Sequence, residues 1–211
     1  MTDSLKIKRL ILGPIMTNCY VFCDTSRGKA AVIDPADSPD IIEKAAKDEG
    51  CEVELIILTH GHYDHIGGLE GLRKLAPDAV VYSHQKGIEV LGDPNKSCCA
   101  DIGGKQQAFS PDKTVADGDV ISFGEHKFKV IYTPGHTIDS MCLMLEGMIF
   151  CGDTVFRNSI GRADLPTGNP LQEIESIKTK LMVLDDDIPL YPGHGESTTI
   201  GYERKNNIYI R

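Results

Sequence analysis

Hydrophobic residues follow two periodicities along the chain, and the points where the period changes separate strands from helices. Apolar runs at residues 5–12, 19–24 and 30–34 are joined by short turn-forming segments, which favours antiparallel strands. Residues 53–58 are almost continuously apolar, as is typical of a strand that is covered on both faces. A short strand is also predicted at residues 79–82. These runs predict one sheet in the first half of the chain.

Helices are predicted where apolar residues recur at intervals of three and four positions. The first begins with Ser38 as its N-cap and Pro39 in the first helical position, and it ends at Gly50. Its apolar stripe consists of Ile41, Ile42, Ala45 and Ala46. A second helix lies near residues 68–75, and a third begins at Ser83.

The second half of the chain repeats this order of strands followed by helices. It predicts two β-hairpins and a further strand, at residues 120–123 with 127–132, 141–145 with 148–150, and 189–191. A helix opens at Asn169-Pro170, and a last helix lies near residues 199–206. One side of the earlier helix carries Leu171, Ile174, Ile177, Leu181 and Leu184. Residues 92–111, between the two halves, lack periodicity and predict a long surface loop.

Two blocks of strands, each followed by helices, predict two sheets packed face to face with helices outside. The expected fold is therefore an α/β (α+β) four-layer αββα sandwich. No Pro- or Ser-rich linker, repeat or low-complexity tract divides the sequence, so residues 1–211 are expected to form a single domain.

Composition and charge narrow the possible functions. The chain has 211 residues, 41% of them hydrophobic, and its 22 Lys and Arg against 31 Asp and Glu give a net charge of −9. This balance disfavours binding to nucleic acid, which requires clustered cationic side chains. No apolar stretch approaches the ~18 residues needed to cross a bilayer, so no membrane span is expected. The N-terminus has an early Asp3 and no apolar core, so no secretory signal is expected either.

The cysteines indicate a reducing compartment. Seven are present, and no two of them form a Cys-x-x-Cys motif. The odd number favours reduced thiols, as do the adjacent Cys98 and Cys99, which would pair only with strain. Reduced thiols are typical of the cytoplasm, which is therefore the expected location. Nothing in the sequence indicates an oligomeric state.

The strongest chemical signal is a cluster of histidines directly after the apolar run at residues 53–58. His60 and His62 lie two positions apart, so on an extended backbone they point the same way and can chelate one cation. Asp64 and His65 follow where the chain turns into a helix, and they can face a second cation beside the first. Four ligand-type residues packed this closely predict a binuclear metal centre.

Three later residues share a context that suits metal ligands. His136, Asp153 and His194 each follow a strand-like run and a glycine. Loops at the ends of strands are where a rigid sheet positions functional side chains. Each residue taken alone is typical of an ordinary turn, but together with the histidine cluster the three become candidate ligands. Asp153 could bridge both cations because a carboxylate has two oxygens.

This arrangement resembles the metallo-β-lactamase-fold hydrolase superfamily, which has a His-x-His-x-Asp-His motif followed by three further ligands in the same order. The resemblance covers nearly the whole chain, and it implies two mixed sheets in the αββα sandwich. It also implies the assignment of the ligands to the two metals. Metal one would be held by His60, His62 and His136, metal two by Asp64, His65 and His194, and Asp153 would bridge them.

Within that superfamily the sequence is similar to the glyoxalase II group (hydroxyacylglutathione hydrolases), in its short single-domain form. The similar segments are residues 152–156, 159–164 and 192–201. The resemblance implies hydrolysis of a small-molecule acyl thioester. Arg162 lies where the longer members carry a basic residue, and Asp164 where they carry a tyrosine. Arg162 is therefore the candidate substrate-binding residue, and a surface charge in a loop is the alternative.

The expected cofactors are two divalent metal ions. Coordination lowers the pKa of a bound water from 15.7 to about 7, so a metal-bound hydroxide is the expected nucleophile. A thiolate leaving group suits zinc or iron. Zinc is therefore the expected metal, with iron or manganese as alternatives. Asp64 is the candidate catalytic residue, which would orient this nucleophile while it ligates metal two.

Two other functions compete with this interpretation. A mononuclear iron persulfide dioxygenase of the same fold would use only His60, His136 and Asp153. A non-catalytic module would use the fold to bind a metal or a ligand. All seven ligand positions are occupied, which favours a binuclear hydrolase over both alternatives.

Overall fold

The computed structural model describes residues 4–105 and 108–210. Two six-stranded sheets face each other, as the sequence predicts. The first sheet has the strand order β1-β2-β3-β4-β5-β6. Its strands are β1 (Leu5–Leu12), β2 (Thr17–Asp24), β3 (Lys29–Ile33), β4 (Glu52–Ile57), β5 (Val80–His84) and β6 (Lys113–Val115). The first three strands pair antiparallel and the remaining pairs are parallel, so the sheet is mixed.

The second sheet is also mixed and combines two antiparallel hairpins with a parallel crossover. Its strands are β7 (Val120–Phe123), β8 (His126–Tyr132), β9 (Met141–Leu145), β10 (Met148–Gly152), β13 (Pro189–Pro192) and β14 (Thr198–Thr199). β10 and β13 are parallel neighbours in this sheet, and the other pairs are antiparallel. A small hairpin of β11 (Val155–Phe156) and β12 (Ser159–Ile160) lies between them in the chain.

Helices cover the outer face of each sheet and complete the four layers. They are α1 (Pro39–Lys47), α2 (Tyr63–Ile66), α3 (Leu69–Leu75), α4 (Gly87–Leu91), α5 (Pro170–Ser176), which continues in a π-helical turn (Ile177–Leu181), and α6 (Ile200–Asn206). Ile42 of α1 and Leu72 of α3 pack on the first sheet. Ile177 and Ile200 pack on the second. The α/β fold is therefore confirmed.

The core between the sheets follows from the alternation of side chains along the strands. In β2, Tyr20 and Phe22 point towards the second sheet, whereas Cys19 and Val21 point towards the helices. The ring of Phe22 lies edge-on to Phe150, with 4.8 Å between the ring centroids. Apolar residues at every position of a strand therefore indicate that both of its faces are buried.

Some expectations about individual elements are wrong. Ser83 does not begin a helix, because β5 continues through His84 and pairs with β6. The sequence does not predict β6, which has only three residues, two of them polar. Ser38 occupies the N-cap position, but its hydroxyl bonds to Asp37 and makes no capping hydrogen bond.

The helix at Asn169-Pro170 and its continuation bury Ile177 and Leu181 of the predicted stripe against the second sheet, as expected, but the first turn differs. Leu171 is 81% exposed, whereas Glu173 is fully buried. Asn169 caps the helix, since its side chain accepts a hydrogen bond from the backbone N–H of Gln172. The apolar pattern was misleading because one turn of this helix packs a carboxylate against the predicted metal site.

The segment from 92 to 111 has little regular structure, as predicted, and it contains one 3₁₀ turn (Cys99–Ile102). Residues 106 and 107 of this segment lie outside the described residues. All seven cysteines are free thiols, in agreement with the sequence. Within the described part of the chain, no helix has the length and apolarity needed to cross a membrane. The single-domain organisation stays a prediction.

Candidate metal centre

The seven predicted ligands meet at one edge of the sandwich, where strands of both sheets end. His60 and His62 follow β4, and Asp64 and His65 lie on the short helix α2. The other three, His136, Asp153 and His194, come from the loops after β8, β10 and β13. Because β3, β4, β10 and β13 deliver their carboxyl ends to the same edge, ligands as far apart in sequence as Asp64 and His194, 130 positions, become neighbours. The predicted convergence of these residues is present in the structure.

The ligand-type atoms of the described residues fall into three groups that could each hold an ion, and the group of His60, His65 and Asp153 overlaps the other two. The nitrogens of His60, His62 and His136 form one group within 4.8 Å of one another. Atoms of Asp64, His65 and His194 form a second group by the same measure. These are the two sets that the resemblance implies. Asp153 lies between them, since its Oδ1 is 3.2 Å from His65 Nε2 and its Oδ2 is 3.6 Å from His136 Nε2.

Hydrogen bonds at the Nδ1 atoms orient three of the histidines. His136 Nδ1 donates to the backbone carbonyl of Arg162 at 2.6 Å. His65 Nδ1 donates to Asp34 Oδ2 at 2.8 Å. His60 Nδ1 lies 3.1 Å from Thr59 Oγ1, whose own proton is donated to Asp34. In each ring the proton is therefore on Nδ1, which leaves the lone pair of Nε2 directed into the centre, as in metal-binding histidines.

The inward-facing atoms test whether the site suits a metal. The Nε2 atoms of His60, His62, His65 and His136 are buried and make no hydrogen bond to the described residues, and the same holds for Asp153 Oδ1. A buried polar atom without a partner costs about 1–3 kcal/mol. Five such atoms facing one point are explained if cations bind there. The set of imidazoles and carboxylates therefore fits a pair of divalent ions.

Burial and charge divide the histidines into two classes. Burial lowers the pKa of His60, His62 and His136, so these rings are neutral at pH 7 and ready to bind a cation. Burial also opposes the charge of His65, but Asp153, Asp64 and Asp34 outweigh it and raise its pKa. Burial raises the pKa of Asp153, but His65, His136 and His194 together outweigh it and hold this pKa well below its usual range. Asp153 is thus ionised at pH 7.

Glycine at position 193 permits the close approach of the His194 loop. A Cβ at Gly193 would lie 2.5 Å from His65 Cε1 and would overlap a carboxylate oxygen of Asp153. Gly152 is required for a different reason, since its backbone is left-handed with φ of +46°. The glycines before Asp153 and His194 therefore shape the centre directly.

Asp34 is a functional residue that the sequence analysis missed. Its buried carboxylate accepts hydrogen bonds from Thr59 N at 2.7 Å, from Thr59 Oγ1 at 2.6 Å and from His65 Nδ1 at 2.8 Å. It thereby orients His65 directly and His60 through Thr59. The signal in the sequence that could have indicated this role was the position of Asp34 at the end of a buried strand, directly before Pro35.

Glu173 is the second such residue. It is fully buried, and its Oε2 accepts a hydrogen bond from the backbone N–H of His136. Burial raises the pKa of Glu173 to about 8. This carboxyl group fixes the backbone of the loop that carries His136. The only signal for it in the sequence was an acidic residue two positions after Leu171, within the predicted apolar stripe.

Arg162 contributes to the site through both its backbone and its side chain. Its backbone carbonyl orients His136, as described above. Its side chain lies on the wall of a cavity of about 460 Å³ that opens onto the centre. The guanidinium is held by Asp164, with Nε and Nη2 each donating to a carboxylate oxygen at 2.8 Å. Direct substrate binding by this side chain stays a prediction.

The strand β2 holds the loop that carries His194. The side-chain amide of Asn18 donates to the carbonyls of Pro192 at 2.9 Å and Gly195 at 3.0 Å, on either side of that histidine. The backbone N–H of Asn18 donates to the Gly193 carbonyl at 2.7 Å. The neighbouring Thr17 Oγ1 donates to Asp64 Oδ2 at 3.2 Å. This strand therefore positions part of the second ligand group.

We expect Asn18→Ala to weaken the binding of one of two zinc ions by about tenfold, because His194 loses its anchored loop. Competition with a chromogenic chelator measures both affinities. The control is Asn207→Ala, which removes another buried amide, bonded to the Ser159 carbonyl at 2.9 Å, away from the seven ligands. Unchanged affinity for both ions in Asn18→Ala would show that the loop does not depend on this side chain.

Asp139 gives the folded protein a pH dependence of its own. This carboxyl is buried, and burial raises its pKa to about 6, although hydrogen bonds from Thr137 and Gly61 lower it to a smaller extent. Its contribution to stability is therefore complete below the unfolded-state pKa and is lost as the pH rises through about 6. We expect the unfolding free energy of the wild type, relative to Asp139→Asn, to fall by about 3 kcal/mol between roughly pH 4 and pH 8. Urea denaturation of both proteins across this range measures the difference, and parallel curves would contradict the assignment.

Fold and site together are those of the metallo-hydrolase superfamily, and comparison with known proteins agrees. The sequence pattern of the Metallo-beta-lactamase superfamily matches residues 12–194. The chain therefore belongs to the Metallo-beta-lactamase superfamily, whose members are mostly hydrolytic enzymes.

Similar proteins match almost the whole chain. An uncharacterized protein of Aquifex aeolicus is 38% identical over 96% of this chain and 96% of its own length. The hydroxyacylglutathione hydrolase GloC of Haemophilus influenzae is 30% identical over 98% of each chain.

Among solved structures, the BLEG-1 B3 metallo-beta-lactamase has a TM-score of 0.90 and 32% identity, over 97% of this chain and 99% of that one. TTHA1623 in a di-iron-bound form has a TM-score of 0.85 and 30% identity, over 96% and 99%. These similarities confirm the fold class that the sequence predicts.

Proposed function

We propose that this protein is a binuclear metal-dependent hydrolase that cleaves acyl thioesters, of the hydroxyacylglutathione hydrolase (glyoxalase II) type. The observation that carries the proposal is the meeting of seven ligand-type side chains around inward-facing atoms that have no hydrogen-bond partner. The similarity to the GloC enzyme over nearly its full length supports a thioester as the substrate.

Two divalent ions would be held by the two groups of side chains, with Asp153 shared between them. When bound, the ions supply a water that is deprotonated near neutral pH, and they polarise the substrate carbonyl. Zinc is the proposed metal because it suits a thiolate leaving group, and iron or manganese are the alternatives. The di-iron form of TTHA1623 supports iron as the first of these alternatives.

Asp64 is the proposed catalytic residue. Thr17 Oγ1 donates to its Oδ2, and His194 Nε2 lies 3.1 Å from the same oxygen. Both contacts hold the carboxylate at the cavity wall, where it would orient the attacking water. In the overall reaction water adds to the acyl carbon, the C–S bond breaks, and the products are a carboxylic acid and a thiol.

The competing functions make less use of the site. A mononuclear iron persulfide dioxygenase would need only His60, His136 and Asp153 and would leave the Asp64, His65 and His194 group without a role. A non-catalytic module would require no cavity beside the ligands, yet a cavity of about 460 Å³ lies there. Both observations favour a hydrolase.

The test is a panel of acyl thioesters assayed with zinc-, iron- and manganese-loaded protein, with metal counted in each preparation. S-lactoylglutathione is the first substrate of the panel. We expect hydrolysis by a form that holds two ions per chain. One iron per chain together with oxygen consumption on a persulfide would contradict the proposal. Metal binding without cleavage of any thioester, lactone or β-lactam would favour the non-catalytic module.

A further inference from the structure

The cavity beside the metal centre has a wall that is poor in available positive charge. Among the described residues, Arg162 is the only lysine or arginine that lines it. Asp164 binds this guanidinium through two hydrogen bonds of 2.8 Å, and Asp101 adds a negative charge to the same wall. Arg162, Asp164 and Asp101 together therefore carry a net charge of −1 at this wall, apart from the metal ligands.

A substrate carboxylate could bind the guanidinium of Arg162 only by displacing the carboxylate of Asp164. Asp164 lies two residues along the chain, so it is always available as a competitor. Exchange of one carboxylate for another gives little net stabilisation, and an exposed ion pair contributes little to begin with. Both side chains of the Arg162–Asp164 pair are exposed, Arg162 by 64% and Asp164 by 67%.

A second arginine near this wall is also engaged. Arg157 follows β11, and its Nη1 lies 3.2 Å from a carboxylate oxygen of Glu196. Its guanidinium also stacks over the ring of Tyr202, 5.3 Å from the centroid. Both arginines around the small β11–β12 hairpin are thus paired with acids of this chain.

Apart from Ser97 and Ser159, the rest of the outer wall is apolar. Ile15, Phe156, Ile160 and Leu165 line the cavity together with the thiol of Cys98. Ile15 lies at the tip of the hairpin between β1 and β2 and is 44% exposed. An exposed aliphatic side chain at the edge of a cavity gains free energy when an apolar part of a ligand covers it.

We propose that the preferred substrate is an uncharged acyl thioester with an apolar portion that packs against Ile15 and Leu165, rather than a thioester of the anionic tripeptide glutathione. This inference rests on the proposed thioesterase function, and it departs from the glyoxalase II type only in the thiol that carries the acyl group. The carboxylates of a glutathione thioester meet a wall on which the described residues offer no free cation, whereas an apolar group meets aliphatic and aromatic side chains.

The test compares two substrates with the same acyl group, S-lactoylglutathione and the neutral S-lactoyl-N-acetylcysteamine, on metal-loaded protein. We expect kcat/KM for the neutral thioester to equal or exceed that for the glutathione thioester. Asp164→Asn should free Arg162 and raise kcat/KM for the glutathione thioester about three- to fivefold, with no change for the neutral one. A glutathione preference of tenfold or more in the wild type would overturn the proposal, particularly if Arg162→Ala abolishes it.

A second comparison tests the apolar wall with neutral thioesters of increasing acyl length, from acetyl to butanoyl. We expect kcat/KM to rise about threefold for each added methylene, because each is buried in the cavity. Ile15→Ala should reduce this gain, whereas Ile11→Ala, on the same hairpin but outside the cavity, should not. A flat dependence on length would overturn the proposal. If metal-loaded protein cleaves neither lactoyl thioester, the proposed function itself fails, which is a different result from hydrolysis with a glutathione preference.

Discussion

Asp153→Asn is expected to lower thioester turnover by about 10³-fold and to remove at least one of the two ions. Asp153 is the carboxylate that reaches both ligand groups, with Oδ1 at 3.2 Å from His65 Nε2 and Oδ2 at 3.5 Å from His194 Nε2. The amide keeps the shape of the side chain but loses its charge and one of its two acceptor oxygens. Loss of metal stabilisation in the transition state amounts to several kcal/mol, which corresponds to this factor.

Steady-state kinetics on a neutral thioester and metal counting measure the two effects of Asp153→Asn. The matched control is Asp164→Asn, which removes the charge of another aspartate near the same cavity but in neither ligand group. This control should keep both ions and its activity on the neutral thioester. Retention of two ions and of turnover in Asp153→Asn would show that the bridging assignment is wrong.

Asp34→Ala has the second largest expected effect, although this residue touches no metal. Its loss leaves the buried N–H of Thr59 without an acceptor and frees the ring of His65. We expect the unfolding free energy to fall by about 3 kcal/mol. We also expect the affinity for zinc to fall by about 10- to 100-fold, as for other groups that orient metal-binding histidines.

Two further variants separate the structural role of Asp34 from its role at the metal. In Asp34→Asn, one orientation of the amide points its N–H at His65 Nδ1. His65 Nδ1 would then have to accept a hydrogen bond, so the ring proton would move to Nε2, the nitrogen that faces the metal. It should therefore lose affinity for zinc with a smaller loss of stability. Asp24→Ala removes another buried carboxylate that accepts several hydrogen bonds, from Ser26 and Arg27, far from the centre. It should lose stability and keep its zinc affinity, and an equal loss of zinc in this control would contradict the role assigned to Asp34.

The ligands were predictable because their signals are local. His60, His62, Asp64 and His65 lie within six positions, and the strand before them is apolar on both faces. His136, Asp153 and His194 each stand after a strand and a glycine. Loops at the ends of strands made each of these three a candidate, and the resemblance to a known superfamily implied that all seven meet.

Residues that orient the ligands were not predictable in the same way. Asp34 acts on His65 across 31 positions, and Glu173 acts on His136 across 37. Neither pair has a fixed spacing, since each depends on how far two loops extend from different strands. Periodicity also failed at Glu173, because the helix there faces a polar site rather than an apolar core.

Histidines outside the cluster show a similar limit. His84 follows a predicted helix start and His126 lies in a predicted hairpin turn, yet both are buried. His84 stacks on Tyr132 with ring centroids 4.0 Å apart, and burial lowers its pKa to about 4. His126 pairs with Glu146 at 2.6 Å. Both histidines are buried by partners that are distant in the sequence, Tyr132 and Glu146. The local sequence around each histidine is turn-like and did not indicate these partners.

Anomalous X-ray scattering at the zinc absorption edge, from crystals of the zinc-loaded protein, tests the central claim most directly. The account predicts two zinc peaks per chain, one among His60, His62 and His136 and the other among Asp64, His65 and His194, with Asp153 touching both. A single peak bound only by His60, His136 and Asp153, with Asp64 and His194 turned away from it, would contradict it.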